Sequence, residues 1–355
     1  MRGRLSPGRR PRQVGMLARI VAALAILGLV MGSRAVHAAA GSPSRPLTVV
    51  RLSEVARSVF YAPQYVALAK GFFEQEGLEV KLATAQGADK GMAALLSGSA
   101  DIGFFGPEAA VYVYQRGAQD YAVGFAQLTQ TDGSFLVARH PTGQFRWTDV
   151  RGKTIIGGRK GGVPEMVLEW VLRQHGIDPH KDVQIITHLA YEAAPGAFEG
   201  GMGDYIAQFE PTMTAMEQRG IGQIVASLGV EGGEITYTVY HARKSFIQQH
   251  PDIIQRFTNA IYRGQLWVAS HSIPEIAQVV APFFPGMDRS VLERSLQRYK
   301  DQRTWKTTPV ISRKGFDHLL EVIQAAGELK SRVPFDTLMT NRFAERAVAQ
   351  LTPSS

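Results

Sequence analysis

The chain has 355 residues, a formal net charge of +8 and no cysteine. A chain without thiols has no disulfide, no zinc–thiolate site and no iron–sulfur cluster. Residues 1–38 hold seven arginines and no acidic residue, so the remaining 317 residues carry a net charge of only +1. They show no basic stripe of the kind that nucleic acid binding requires, and nucleic acid is not an expected partner.

The first 38 residues have the three parts of a secretory signal peptide. A basic stretch that ends at Arg19 is followed by the apolar run Ile20–Met31 and by the small residues Ala35–Ala39. The apolar run is shorter than the roughly 20 residues that span a bilayer, which favours cleavage near Ala38 over an uncleaved anchor. Because no cysteine could carry a lipid, we predict a soluble periplasmic protein that is not lipid-anchored.

Residues 45–138 alternate short β-rich runs with amphipathic helical patterns. The predicted strands are 47–53, 78–85, 102–105, 122–129 and 135–139, and the predicted helices are 63–76, 89–97 and 107–116. Alternation at this spacing is typical of βαβ units and of a mostly parallel sheet. We assign this segment to a first α/β lobe.

A similar series follows the polar connection that contains Pro141. Its predicted strands are 154–158, 183–189, 205–209 and 222–228, and its predicted helices are 164–175, 193–199 and 211–219. The elements repeat those of the first series in order and size, although the sequence does not repeat. We assign residues 150–235 to a second lobe.

The run Glu234–Arg243 alternates with a period of two and is rich in Thr and Tyr, which predicts a strand. Only helical patterns follow it, so we expect the chain to return to the first lobe over residues 236–345. Two crossings between lobes make a hinge, and a hinge makes a cleft that can close. The predicted fold is therefore α/β, with two lobes joined by a two-strand hinge.

Four prolines stand at or near the start of predicted helices: Pro63, Pro107, Pro164 and Pro211. Proline is common there because the N–H that it lacks would have no partner. In open α/β sheets, ligands bind beyond the carboxyl ends of the strands, where helix N-termini present free N–H groups. Two of these junctions fall in each predicted lobe, so we expect all four to converge on one cleft.

The candidate ligand-binding residues surround these junctions and the predicted crossings. They are Phe60, Tyr61, Glu108, Gln127, Thr131, Asp132, Gly161, Gly162, Phe209, Glu210 and Tyr237. An aromatic ring can stack on a planar ligand or pack in a core, and an acid in the first helical turn can simply complement the helix dipole. We favour a site role for Glu210, whose carboxylate would select an amine or an amino-heterocycle.

Three of these candidates have an equally good local explanation. Asp132 precedes Gly133, and Asp-Gly is a common turn pair. The pair Gly161 and Gly162 would let backbone N–H groups approach an anion, but two glycines alone are a weak motif. Tyr237 lies on the predicted crossing strand, where it could contact a ligand or pack in the hinge.

The sequence carries no motif for a catalytic or metal site. It has no His-Glu-x-x-His helix, no Gly-x-Ser-x-Gly elbow, no Gly-x-Gly-x-x-Gly loop and no histidines at metal-ligand spacing. We therefore predict no catalytic residue, no metal and no cofactor.

Six segments together form a recognisable pattern: Ala62–Ala67, Lys70–Val80, Leu96–Gly103, Val150–Lys153, Gly203–Pro211 and Phe246–Asp252. The combination resembles the NMT1/THI5-like family, the periplasmic solute-binding proteins of the nitrate, sulfonate, taurine and thiamine-precursor import group. The resemblance implies a type II periplasmic-binding-protein fold and one small-molecule ligand. It also implies a monomer that delivers this ligand to an ATP-binding-cassette (ABC) permease in the inner membrane.

The resemblance leaves the ligand open between a nitrogen heterocycle such as a pyrimidine and a sulfonate, taurine or nitrate. Acidic groups such as Glu108 and Glu210 suit the first class, whereas an anion needs Arg, Lys or bare helix N-termini. Eukaryotic members make a thiamine pyrimidine and carry a cysteine-rich motif that this chain lacks. We expect a binding protein that is not an enzyme. The alternatives are an enzyme acting on a thiamine-pyrimidine-type precursor and a ligand-sensing receptor.

Overall fold

The computed structural model describes residues 46–141 and 143–352, so the predicted export signal lies outside the described residues. The first sheet contains β1 (Thr48–Glu54), β2 (Leu78–Thr84), β3 (Ile102–Phe105), β4 (Ala122–Thr129) and β10 (Thr238–Arg243). Its strand order is β2-β1-β3-β10-β4. Strand β1 is parallel to β2 and β3, whereas β10 is antiparallel to both of its neighbours.

The second sheet repeats this arrangement. It contains β5 (Ser134–Ala138), β6 (Thr154–Ile156), β7 (Gln184–Ile186), β8 (Tyr205–Phe209) and β9 (Gln223–Ser227), in the order β7-β6-β8-β5-β9. Strand β6 is parallel to β7 and β8, and β5 is antiparallel to β8 and β9. Each sheet therefore places three parallel strands beside an antiparallel strand that enters from the other half of the chain.

Helices cover these sheets. In the described residues they are α1 (Ala62–Ala69), α2 (Phe72–Gln75), α3 (Ala88–Leu96), α4 (Glu108–Gln115), α5 (Val163–Gln174), α6 (Ala193–Glu199), α7 (Thr212–Gln218), α8 (Leu228–Gly232), α9 (Lys244–Gln249), α10 (Pro251–Ser270), α11 (Ile273–Val280), α12 (Arg289–Asp301), α13 (Arg313–Ala325), α14 (Phe335–Leu338) and α15 (Arg342–Leu351). Short 3₁₀ turns occur at Val59–Tyr61, Trp147–Val150 and Ala281–Phe283. No helix in the described part of the chain is both long and apolar enough to cross a membrane.

Two local expectations differ from the structure. We expect the strand near 135–139 in the first lobe, but β5 pairs with β8 and β9 of the second sheet. A fully buried apolar strand looks the same in either sheet, so its sequence carries no mark of its partner. The helix expected over 63–76 is divided at Gly71, whose φ of 69° is left-handed and ends α1.

The chain crosses between the sheets at Gln130–Gly133 and returns at Gly233–Tyr237. The two crossings lie side by side, because the Ile235 N–H donates to the Gln130 carbonyl at 2.9 Å. The C-terminal helices pack on both halves: α10 packs on α1, whereas α12 contacts α7 and α13 contacts α5. The observed architecture is thus two α/β lobes connected by a hydrogen-bonded pair of crossing segments.

Candidate functional site

A cavity of about 600 Å³ lies between the two sheets. A residue at or shortly after the carboxyl end of each parallel strand lines it: Val55 for β1, Ala88 for β2, Gly106 for β3, Arg159 for β6, Tyr191 for β7 and Phe209 for β8. This is the position at which open α/β sheets bind ligands. Each of the four proline junctions also contributes a lining residue, namely Tyr61, Glu108, Pro164 and Phe209.

Aromatic side chains form much of the cavity wall. They are Tyr61, Tyr112, Tyr191, Phe209 and Tyr237. The rings of Tyr191 and Phe209 lie 5.9 Å apart at an angle of 60°, which gives the second lobe a pair of flat apolar surfaces. A wall of this kind suits a planar ligand, since rings supply large contact areas in offset or edge-to-face arrangements.

Glu108 places a carboxylate in this wall. It begins α4, is 2% exposed, and its side chain folds back over Gly106, where any Cβ would collide with it. Its Oε2 atom has no hydrogen-bond partner among the described residues. Burial raises the pKa of Glu108 to about 7, and the nearby backbone N–H groups of Glu108, Val163 and Ala109 offset only part of this effect. The site therefore contains a buried carboxyl group with an unused acceptor.

The segment 159–162 of the second lobe contacts the first lobe across the cavity. Arg159 Nη2 lies 2.8 Å from Asp89 Oδ2, and the Tyr112 hydroxyl donates to the Gly161 carbonyl at 2.9 Å. The Gly161 N–H donates to Glu165 Oε2 at 3.1 Å, which fixes the left-handed backbone at φ 74° that only glycine adopts readily. We call Asp89, Tyr112, Arg159 and Gly161 the cleft latch.

Some predicted site residues line the cavity and others do not. Tyr61, Glu108, Gly161, Gly162, Phe209 and Tyr237 line it. Phe60 is fully buried behind it, with its ring 5.7 Å from Phe209 and 5.4 Å from Tyr237, so it packs under the site. Its carbonyl accepts a hydrogen bond from Trp305 Nε1 at 2.9 Å.

Glu210 does not direct its carboxylate into the cavity, contrary to our expectation. The Thr214 N–H and hydroxyl donate to it at 2.8 and 2.7 Å. Arg298 Nη1 and the Ser295 hydroxyl of α12 donate to it at 2.9 and 3.2 Å. The carboxylate thus caps α7 and binds α12, which uses its acceptor capacity inside the protein.

Gln127 lies near the end of β4, Thr131 and Asp132 lie in the first crossing, and none of the three lines the cavity. Gln127 donates to the Thr129 carbonyl and accepts from the Ser312 N–H, both at 2.9 Å. Thr131 lies 3.3 Å from the Thr304 hydroxyl. These contacts connect the crossing to the C-terminal segment, so both residues hold the hinge in place.

Asp132 is buried beside Tyr237 at the base of the cavity. Its Oδ1 accepts from the Ser134 N–H at 2.6 Å, while Oδ2 and the Tyr237 hydroxyl have no partner at hydrogen-bond distance among the described residues. Burial raises the pKa of Asp132 to about 7. Asp132 therefore shapes the hinge and reaches the site only through Tyr237.

Several lining residues are absent from the sequence prediction, among them Tyr112, Tyr191 and Asp89. Tyr112 lies four residues after Glu108 and so shares its face of α4, a spacing that could have identified it. Tyr191 lies in an irregular segment after β7, where no periodicity indicates the direction of a side chain. Asp89 is recognisable only through its ion pair with Arg159.

Two α/β lobes with one cleft at their strand ends define a two-lobed periplasmic-binding-protein fold. Residues 59–275 match the family described as NMT1/THI5 like, and the chain belongs to this family. It is 43% identical over 312 residues to YtlA of Bacillus subtilis (strain 168), which is named as a candidate binding protein; the match covers 88% of this chain and 93% of YtlA.

Two further comparisons are more distant. The chain is 25% identical over 217 residues to the 4-amino-5-hydroxymethyl-2-methylpyrimidine phosphate synthase of Schizosaccharomyces pombe, covering 58% of this chain and 61% of the synthase. The alkanesulfonate-binding protein SsuA of Xanthomonas axonopodis pv. citri, solved with bound MOPS, is similar in fold at 16% identity and a TM-score of 0.69. That match covers 84% of this chain and 99% of SsuA.

We predict that Glu210→Ala destabilises the protein without changing ligand affinity. The substitution removes four hydrogen bonds to a buried carboxylate and leaves Arg298 with Glu217 as its acidic partner, at 2.7 Å, so the free energy of unfolding should fall by about 3 kcal/mol. Urea denaturation measures this change, with the exposed Glu345→Ala as the control. A loss of ligand affinity greater than about threefold in the folded variant would show that Glu210 contributes to ligand binding.

We predict that Glu108→Gln stabilises the ligand-free protein in a pH-dependent manner. The pKa of Glu108 is about 7 in the folded chain, against 4.5 for the free side chain. The folded state therefore loses stability relative to the unfolded chain as pH rises from 4.5 to about 7, because the buried carboxyl group resists ionisation. Glutamine carries no charge at either pH and avoids this loss. The variant should match the parent at pH 4 and exceed its free energy of unfolding by about 3 kcal/mol at pH 8.

Denaturation across this pH range, with Glu345→Gln as the exposed control, checks the prediction. A stability difference that does not vary with pH would contradict the burial of an unpaired carboxyl group at position 108.

Proposed function

We propose that this protein is the solute-binding component of an ABC-type importer. After export to the periplasm, it would act as a soluble monomer that captures a small organic solute between its lobes and passes it to a permease. Membership of the NMT1/THI5-like family and the likeness to a named binding protein support this proposal. The observation that carries it is the meeting of four helix-starting junctions, two from each lobe, at one cavity.

The cavity chemistry favours a planar nitrogen-containing solute over a sulfonate or nitrate. An anion held between the aromatic rings would need a cation beside it, but Arg159 is paired with Asp89 at 2.8 Å and Lys160 with Glu165 at 3.2 Å. The other two basic lining residues are exposed at the mouth of the cavity. The acceptor that remains available is Glu108 Oε2, which suits an N–H donor. Aromatic rings on both sides would hold the plane of the ligand.

The likeness to a named binding protein supports binding without chemical change. Glu108, a buried carboxyl group with a raised pKa, is also the type of group that serves as a general base in enzymes. Because the chain is also similar to a pyrimidine phosphate synthase, the proposal is tested by asking whether the bound compound is chemically converted.

We predict that Phe209→Ala weakens solute binding by about tenfold, because it removes one of the two rings that the second lobe offers. Calorimetric titration of the chain lacking residues 1–38 against aminopyrimidines, taurine, alkanesulfonates and nitrate measures the dissociation constants. The control is Phe246→Ala, which removes a similarly half-buried ring that packs on His250.

We expect an aminopyrimidine to bind with one-to-one stoichiometry and to be recovered unchanged by mass spectrometry. Turnover of any compound in the panel would replace the transport proposal with the enzymatic one. Equal losses in Phe209→Ala and Phe246→Ala would move the binding site away from the cavity.

A further inference from the structure

Acidic and basic side chains line opposite ends of the cavity. Helix α4 has one of each near its two ends and so gives the distance between them. Glu108 and Tyr112 lie four residues apart on one side of α4, Arg116 follows at the same spacing as the residue that caps its C-terminal end, and all three line the cavity. A helix rises about 1.5 Å per residue, so Arg116 lies about 12 Å from Glu108 along the helix axis. The same helix therefore presents an acid at the inner end of the cleft and a base near its outer end.

The inner end carries an acid without a cation. Glu108 is 2% exposed, and none of its carboxylate oxygens lies within ion-pair distance of Lys, Arg or His in the described residues. The rings of Tyr61 and Tyr237 line the cavity in the same region. A planar group that donates an N–H would hydrogen-bond to the Glu108 carboxylate and pack against these two rings.

The outer end carries two bases that make no ion pair among the described residues, together with one acid, Glu328, which lies 3.8 Å from Lys160. Arg116 and Lys330 line the cavity, are exposed, and make no ion pair with an acid in residues 46–352 as described. The cationic lining residues of the latch region differ, because Arg159 is paired with Asp89 at 2.8 Å and Lys160 lies 3.8 Å from Glu328. The unpaired positive charge is thus confined to the outer end.

The outer end also continues beyond the main cavity. A second hollow of about 550 Å³ shares Gln115 and Lys330 with it and adds Lys244, whose ammonium lies 5.3 Å from the centre of the Tyr121 ring. The nearest acid, Asp120, is held by the Ser245 N–H and by Arg243 at 2.8 and 3.5 Å. A bound molecule could therefore place an anionic end among Arg116, Lys330 and Lys244.

The volume agrees with a ligand longer than one ring. About 600 Å³ falls in the range of sites that take drug-sized molecules, and a single six-membered ring would fill a small part of it. Two chemically different ends at a fixed separation would use both the inner acid and the outer bases.

We propose that the solute is elongated and amphoteric, with a planar N–H-donating group at Glu108 and an anionic group about 10–12 Å away at Arg116 and Lys330. This inference rests on the proposed binding function and narrows its ligand class. Both ends are needed for full affinity. The outer contacts are solvent-exposed ion pairs, so each adds a modest and salt-sensitive increment.

A set of synthetic probes tests both ends separately. The probes are 1-(ω-phosphonoalkyl)cytosines with two, four or six methylene groups, together with 1-butylcytosine, which lacks the anion, and butylphosphonate, which lacks the ring. We expect the four-methylene compound to bind about tenfold more tightly than 1-butylcytosine at low salt, and butylphosphonate to bind most weakly.

The double variant Arg116→Gln/Lys330→Gln should reduce that tenfold advantage to below about threefold while leaving the affinity for 1-butylcytosine unchanged. The double variant Lys314→Gln/Arg346→Gln removes the same charge from exposed positions outside the cavity and should keep the full advantage. Raising the salt concentration should reduce the advantage in the parent protein.

Three results would overturn the inference: equal affinity for the four-methylene compound and 1-butylcytosine, equal effects of the two double variants, or no measurable binding of any probe. In the first two results 1-butylcytosine still binds, and the proposed function survives. The proposed binding function is tested by the wider panel of compounds. It fails if no compound in that panel binds or if any of them is chemically converted.

Discussion

The structure depends on one constraint: the chain passes between the two sheets twice, at neighbouring points that are hydrogen-bonded to each other. The Ile235 N–H donates to the Gln130 carbonyl at 2.9 Å, so both crossings lie at the same edge of the two lobes. Because each sheet has the same strand order, the carboxyl ends of all six parallel strands then face one gap. The C-terminal segment strengthens this region, since the Tyr299 hydroxyl donates to the Gly133 carbonyl at 2.8 Å.

A second feature follows from this geometry. A carboxyl group buried among the strand ends that bound this gap loses most of its hydration. Glu108 is in this position, with a pKa raised to about 7 and an oxygen that nothing in the described residues contacts. An unsatisfied acceptor of this kind destabilises the empty protein and becomes favourable when a donor arrives. The cleft latch keeps the lobes close enough for one ligand to touch both, through Arg159 with Asp89 and Tyr112 with Gly161.

The sequence predicted the repeated α/β pattern and the location of the cleft because both are local properties. Strands such as Tyr205–Phe209 are short apolar runs bounded by turns, and the prolines mark where helices begin after them. Long-range pairing was not predictable. The partner of β5 depends on which sheet it enters, and Glu210 meets Arg298, which lies 88 residues further along the chain. The sequence around an acid that precedes a helix does not tell whether its carboxylate faces a cleft or a distant arginine.

The central claim is that the two lobes grip one solute by closing on it. The chain has no cysteine, so Lys90→Cys in α3 and Glu192→Cys beside Tyr191 give two unique spin-label sites on opposite lobes. Pulsed electron resonance then measures the distance distribution with and without an aminopyrimidine that binds in calorimetry. We predict that ligand shifts a broad distribution to a single shorter distance. An unchanged distribution in a protein that has bound its ligand would contradict closure as the mechanism of capture.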